Sequence, residues 1–302
     1  MKKFYIKTLL FILPVILLAT VIEISLRYQI PNEFAYKRQY MDANSNKVEM
    51  LILGSSHTYY GIDPAYFSHE TFNAAASSQS LFYDFEIIKK YQHRIEHLQT
   101  VILPVSYFSL FNDYALNKNK SQYAVYWGIK VPQASLIDNI AVLNIQSVYR
   151  ELKKILFAAL NIDIDFPCTE FGWGKAYNSK DSKDLVTTGK TSAERHKAED
   201  FTFITKNIKI LRSIVEFCNE RNIDIWLITT PCYATYRQHL DPHQLSSTVE
   251  AASLMAKEYD HCRYINLLDS DMFTDTDFYD ADHLNEIGAR KLSMLLKEMI
   301  KP

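Results

Sequence analysis

The sequence predicts an α/β protein: a flavodoxin-like three-layer α/β/α fold with a central five-stranded parallel sheet, preceded by one N-terminal transmembrane helix. Three observations predict this. Short apolar runs recur along the chain, amphipathic stretches lie between them, and the N-terminus is strongly apolar. Strands separated by helices imply a parallel sheet covered on both faces.

The elements follow in order. Lys2, Lys3 and Lys7 precede an apolar run over residues 9–22. With Tyr5, Ile6, Ile24 and Leu26 on its flanks, the segment approaches the roughly 20 residues that span a bilayer. Ala19-Thr20-Val21 is a poor match to a small-x-small cleavage site, so an uncleaved anchor is expected rather than a signal peptide. The lysines then stay in the cytoplasm and everything after Arg27 lies outside, as a single-pass protein of the cytoplasmic membrane. Glu23 falls near the outer interface, where a carboxylate costs less than at mid-membrane. Residues 1–27 are thus the anchor. Residues 28–47, with Pro31-Asn32-Glu33 and a polar run over 42–47, read as a stalk. The α/β domain occupies 48–302.

Within that domain, residues 49–53 form a short apolar run ending at Gly54, the pattern of a buried parallel strand. Residues 71–74, 100–105, 223–229 and 263–268 supply four more. Helical periodicity marks 81–98, where Phe82, Phe85, Ile88 and Ile95 recur at threes and fours, and also 206–222, 243–259 and 285–300. Residues 112–200 break the rhythm, with a helix expected near 143–160 and a polar, lysine-rich stretch over 175–199. They read as an insertion or cap; a small second domain without a role in the site is the alternative.

Composition limits the function. Lys+Arg number 33 against 35 Asp+Glu, with no basic block, which excludes nucleic acid as an expected partner. Cys168, Cys218, Cys232 and Cys262 form no C-x-x-C pair, so they read as buried thiols or one bridge rather than a zinc site. Asp275, Asp277, Asp280 and Asp282 are crowded but lack the calcium-loop spacing. No metal or cofactor is expected.

Two short motifs carry chemistry. In Leu51-Ile52-Leu53-Gly54-Ser55-Ser56-His57 a buried strand ends in a small-residue turn. Such a turn presents a hydroxyl at the sheet's carboxyl edge, beside N–H groups able to hold an oxyanion. Taken alone, the tetrapeptide reads better as Ser55 or Ser56 capping the next helix. In Asp280-Ala281-Asp282-His283-Leu284-Asn285 the last strand has ended and the final helix opens. A serine needs a base, and an imidazole needs an acceptor to fix its tautomer. D-x-x-H supplies both, with Asp280 orienting His283. Alone, it reads as Asp282 capping the helix. Both motifs fall at carboxyl ends of strands, where a doubly wound sheet brings ligands.

Together these motifs resemble the SGNH (GDSL-like) hydrolase superfamily, and most of all its membrane-anchored branch of alginate and teichoic-acid acyl-transfer proteins. Gly54-Ser55-Ser56-His57-Thr58 matches block I, which makes Ser56 the implied nucleophile. The run from Asp280 to Ala289 matches the last block, which makes Asp280 and His283 the implied partners. The resemblance covers roughly 48–110 and 203–300. It departs in two places. Block II keeps Asn73 but puts Ser78 where an oxyanion-hole Gly is usual, so the implied oxyanion donors are the Ser56 and Ser78 N–H groups. Block III offers no Asn: its position falls near Phe108, with Ser106 or Tyr107 as substitutes.

The remaining candidates for substrate contact are His57, Asn73, Ser106, Tyr236 and Arg237. Cys232 lacks a base placed by pattern, and Phe171-Gly172-Trp173-Gly174 reads as a sugar-stacking cap or a hydrophobic hinge. The resemblance implies a serine esterase or O-acyltransferase acting on acyl esters, acetyl among them, of cell-envelope carbohydrate. It implies an acylated carbohydrate or acyl donor as partner, and a polytopic membrane acyltransferase beside it. Two rivals stand: a silent SGNH-fold accessory protein, and a lipase with a wide apolar cleft.

Overall fold

A computed structural model describes residues 1–300 apart from 69, 133–134, 145–147, 161 and 163. The chain divides into two compact units. Residues 1–38 with 118–166 form the first; residues 39–117 with 167–302 form the second.

The second unit carries the sheet. Five strands, β1 (Met50–Ile52), β2 (Thr71–Asn73), β3 (Thr100–Pro104), β4 (Asp224–Thr229) and β5 (Cys262–Asn266), run parallel in the order β2-β1-β3-β4-β5. This is the flavodoxin-like order, and its switch point lies between β1 and β3. Register places Ile52 beside Ile102. With Ile228, both join a core under the last helix, Glu286–Ile300, through Leu292 and Leu296. Side chains alternate across a strand, so Leu51, Val101 and Leu227 face the other way and are equally buried. The helices Leu81–Tyr91, Ile204–Asn219 and Pro242–Glu258 pack on one another in that second layer.

Strand and helix expectations hold with shifts at their ends. The helix expected over 81–98 stops at Tyr91, and the chain turns from there to Leu98. Ile95 and Leu98 are still buried, so their spacing reports burial rather than helix. A feature the sequence did not predict is the antiparallel hairpin of β6 (Phe278–Asp280) and β7 (His283–Leu284) before the last helix. The cap of that helix is Asn285, whose Oδ1 accepts from Ile287 and Gly288 N–H. Asp282 does not cap it.

In the first unit, the helix Lys2–Tyr28 is long and apolar enough to cross a membrane, with Pro14 inside it. Its 27 residues span about 40 Å, against a hydrocarbon core of about 30 Å. Its exposed side chains are apolar along most of its length. The expected stalk is instead largely helical, from Glu33 to Asn44. Asn32 Oδ1 caps it by accepting from Phe34 and Ala35 N–H. Phe34, Lys37 and Met41 are buried at helical spacing, a periodicity masked in the sequence by the polar run over 42–47. The expected insertion over 112–200 also divides: 118–166 groups with residues 1–38, whereas 112–117 and 167–200 belong to the sheet-bearing unit. The helix expected near 143–160 runs from Val148 to Ala159; residues 145–147 lie outside the described residues.

Candidate active site

Gly54 leaves β1 with φ +107. Its N–H donates to the buried Asp84 carboxylate at 2.8 Å, and an added Cβ would sit 2.1 Å from Pro104 Cγ. Only glycine permits that path. Ser55 then caps the short helix Ser56–Tyr59, which carries Ser56 at its first position. From the other end of the chain, the β6–β7 hairpin presents Asp280 and His283. Ser56 Oγ lies 2.8 Å from His283 Nε2, and His283 Nδ1 lies 2.8 Å from Asp280 Oδ1. If Nδ1–H donates to the carboxylate, Nε2 is free to accept the Ser56 hydroxyl proton. The structure thus brings the three motif residues into one continuous relay.

Asp282 is the most heavily surrounded charge nearby. Its Oδ2 lies 3.5 Å from both Arg195 Nη2 and His283 Nδ1, and 3.7 Å from both His57 Nε2 and His196 Nδ1. Burial alone would raise its carboxyl; His283 above all holds it well below the usual carboxylate range. Burial pushes His57 down and His196 down to about 3, despite that carboxylate. Burial also opposes charge on His283, but Asp282 and Asp280 outweigh it and raise this imidazole. His57, Asp282 and His283 offer ligand atoms within 4.8 Å of one another. The Arg195 guanidinium already supplies positive charge at that carboxylate, and Asp280 engages His283 Nδ1, so a cation would compete with both.

The remaining sequence candidates fall in different places. Ser78 takes φ +60, the left-handed conformation its glycine counterpart would adopt freely. Its carbonyl accepts from Asn117 Nδ2 at 2.5 Å. Because an L-residue there costs about 1 kcal/mol, Ser78→Gly is expected to keep the turn and raise the melting temperature slightly. Calorimetry of the two proteins checks this, and a drop in melting temperature would contradict it.

Ser106 does not point to an open pocket: it is buried, and its Oγ lies 2.8 Å from His57 Nδ1. His57 is likewise buried, between Ser106 and Asp282. Asn73 is consumed by the fold, because Nδ2 donates to Thr58 O and Ile62 O while Oδ1 accepts from Ala75 N–H. That bracket pins the loop behind Ser56. Tyr236 is fully buried with its hydroxyl 2.9 Å from His196 Nδ1. Arg237 donates to the carbonyls of Cys232 and Leu268. Burial removes Asn73 and Tyr236 from direct contact with a ligand. Phe108, at the block III position, packs its ring on His57 and His196. A crevice lined by Gly54, Gln79, Asp84, Phe108 and Asn112 borders the turn after β1.

The four cysteines are free and buried. Burial raises Cys232 well above the ordinary thiol range, which leaves no thiolate to attack. Of the crowded aspartates, Asp277 pairs with Lys291 Nζ at 2.5 Å while Asp280 serves His283, so the group diverges. Sequence reasoning missed Arg195, His196 and Tyr177. All three come from 167–200, where no motif spacing announces them. The helix Leu185–His196 seats against Thr235 through Gly189, where a Cβ would meet Thr235 Oγ1 at 2.4 Å. Tyr177 stacks between Tyr60 and Tyr279 and meets the His283 ring edge-on at 5.1 Å.

No family model matches the chain, and no curated protein does either. Solved structures similar to it include a Streptococcus pneumonia protein described as a platelet activating factor (TM-score 0.47, 11% identity, 96% of this chain and 99% of that one). A Bacteroides fragilis protein described as an acylhydrolase has a TM-score of 0.43 at 11% identity, over 87% of this chain and 94% of that one. A GDSL-like lipase from Bacteroides thetaiotaomicron has a TM-score of 0.42 at 11% identity, over 88% and 98% respectively.

Proposed function

We propose that this chain is a membrane-anchored serine esterase or O-acyltransferase of the SGNH type, acting on acyl esters of cell-envelope carbohydrate outside the cytoplasmic membrane. The observation that carries the reading is the Ser56–His283–Asp280 relay, with both contacts at 2.8 Å. Activation of a serine needs a base within about 2.6–3.2 Å and a third group orienting that base.

In the proposed reaction His283 Nε2 takes the Ser56 proton as Oγ attacks the acyl carbonyl carbon. The C=O π pair moves to oxygen, and the Ser56 and Ser78 N–H groups stabilise the oxyanion. Asp280 holds the imidazolium. Collapse of the intermediate breaks the ester C–O bond, and His283 returns its proton to the leaving alkoxide. Water or a sugar hydroxyl then attacks acyl-Ser56, with His283 again taking and returning the proton. Phe108 in place of a side-chain amide removes one oxyanion donor, a loss that typically slows such enzymes by about 10²–10³. A slow enzyme is therefore expected, suited to an acceptor held close by rather than to rapid turnover in solution. A polytopic membrane acyltransferase supplying the acyl group fits that setting.

The test is intact mass of the full-length protein in detergent after treatment with a fluorophosphonate. One adduct on the parent, absent from Ser56→Ala, is the expected result. A folded parent that takes no adduct would favour a silent accessory protein, and an adduct that survives Ser56→Ala would place the nucleophile elsewhere.

A further inference from the structure

The first unit exposes apolar side chains beyond the spanning helix. Leu136 is 86% exposed and Ile137 55%, with Ile140 beside them. The helix Val148–Ala159 exposes Leu152 (45%) and Leu156 (55%), and Leu160 just beyond it is 59% exposed. Residues 152, 156 and 160 are four apart, so they continue one stripe along a helical surface. Lys153 lies on the same helix with its ammonium 5.2 Å from the Phe157 ring centroid.

The position of this surface along the spanning helix is fixed by hydrogen bonds. Glu23 lies about 30 Å of helix rise beyond Lys3, which matches the hydrocarbon thickness of a bilayer. Its carboxylate accepts from Ala141 N–H at 3.0 Å and Val142 N–H at 2.8 Å. Arg27, paired with Glu23, donates to Asn139 O at 2.5 Å. Tyr126 donates to Leu26 O at 2.9 Å. Residues 139–142 are therefore tied to the level at which the spanning helix leaves the hydrocarbon. The turns that hold Leu136, Ile137 and Ile140 adjoin that tie, and the helix Val148–Ala159 packs on the spanning helix itself.

We propose that the surface carrying Leu136, Ile137, Ile140, Leu152, Leu156 and Leu160 lies in the headgroup–acyl boundary of the bilayer, as an interfacial collar around the spanning helix. The proposal rests on that helix crossing the membrane. Its occupant is lipid because the apolar surface continues from a helix already facing lipid, at the depth Glu23 sets. An amphipathic helix in this position buries its apolar face about 5–10 Å into the boundary. A basic side chain beside the stripe suits phosphate headgroups.

Site-directed fluorescence in the full-length protein, reconstituted in liposomes containing phosphatidylglycerol, tests it. Leu136→Cys and Leu156→Cys each carry an environment-sensitive fluorophore; the native cysteines are buried. The expected result is loss of emission with nitroxide lipid labelled near the headgroup, and protection from aqueous iodide. Leu13→Cys on the spanning helix, read with lipid that carries its nitroxide deep in the acyl chain, reports whether that helix is in the bilayer. Glu250→Cys, on an exposed position of the helix Pro242–Glu258, reports iodide access. Quenching of Leu136 and Leu156 by iodide alone overturns the collar. Insensitivity to both quenchers also overturns it, because a protein partner then covers the face. Failure of lipid to quench Leu13 removes the spanning helix and the collar together, while lipid quenching of Leu13 alone removes only the collar.

Discussion

His283→Ala is expected to slow fluorophosphonate labelling of Ser56 by about 10⁴-fold, the upper range of a general base's contribution. The size follows from the geometry. Ser56 Oγ has His283 Nε2 at 2.8 Å, and a serine hydroxyl without a base is a weak nucleophile at neutral pH. The pH dependence has a definite sign. The imidazole must be neutral to take a proton, and Asp282 and Asp280 overcome the opposing burial to raise it above its ordinary value of 6.5. Fluorophosphonate labelling should therefore climb with rising pH through a midpoint above 6.5. Asp282→Asn removes a negative charge 3.5 Å from His283 Nδ1, destabilises the imidazolium and moves that midpoint down. Labelling rates of parent, His283→Ala and Asp282→Asn across pH test both points. A parent-like rate in His283→Ala would sink the role of the base, and an unmoved midpoint in Asp282→Asn would sink that of the second carboxylate.

Asp84→Asn is expected to stabilise the protein at alkaline pH. Burial raises Asp84 from 3.8 to about 7, against the opposing hydrogen bonds from Gln79 and Gly54. A carboxyl whose folded value is raised contributes stability fully present below its unfolded value and lost as pH rises through the folded value. The window runs from 3.8 to about 7, and the gap corresponds to roughly 4 kcal/mol. Asparagine keeps a carbonyl oxygen for the Gly54 and Gln79 donors and cannot ionise. Asp84→Ala instead leaves those buried donors unpaired, at a cost of about 1–3 kcal/mol each. Denaturant unfolding of the three proteins at pH values from about 4 to about 8 tests this. The parent should fall relative to Asp84→Asn as pH rises; parallel curves would show that Asp84 does not titrate in this range.

The sheet was legible because parallel strands buried on both faces leave short apolar runs, as at 49–53 and 223–229. Ser56, Asp280 and His283 were legible because each sits in a motif whose spacing is set by a turn. The polar surroundings were not. Asp282 read as a helix cap, yet Asn285 performs that task and Asp282 faces three imidazoles and a guanidinium. Arg195 and His196 reach it from a helix whose place is decided by the contact of Gly189 with Thr235. Such a contact has no periodicity to betray it. Asn73 and Tyr236 were visible as polar residues near strand ends, but a one-dimensional pattern does not distinguish a side chain open to ligand from one spent on carbonyls or on a buried histidine.

Ser56 and His283 stand 227 residues apart, and the hairpin that carries His283 lies close to the last helix. The proposed chemistry is therefore latent while the chain is being made. While it is synthesised from its N-terminus, and if that end is delivered to the membrane first, Ser56 remains an ordinary alcohol through most of elongation. In the proposed reaction its activation waits until the segment carrying His283 folds back against the sheet. On that proposal, a chain that stops short of Asp280 and His283 leaves Ser56 without its base.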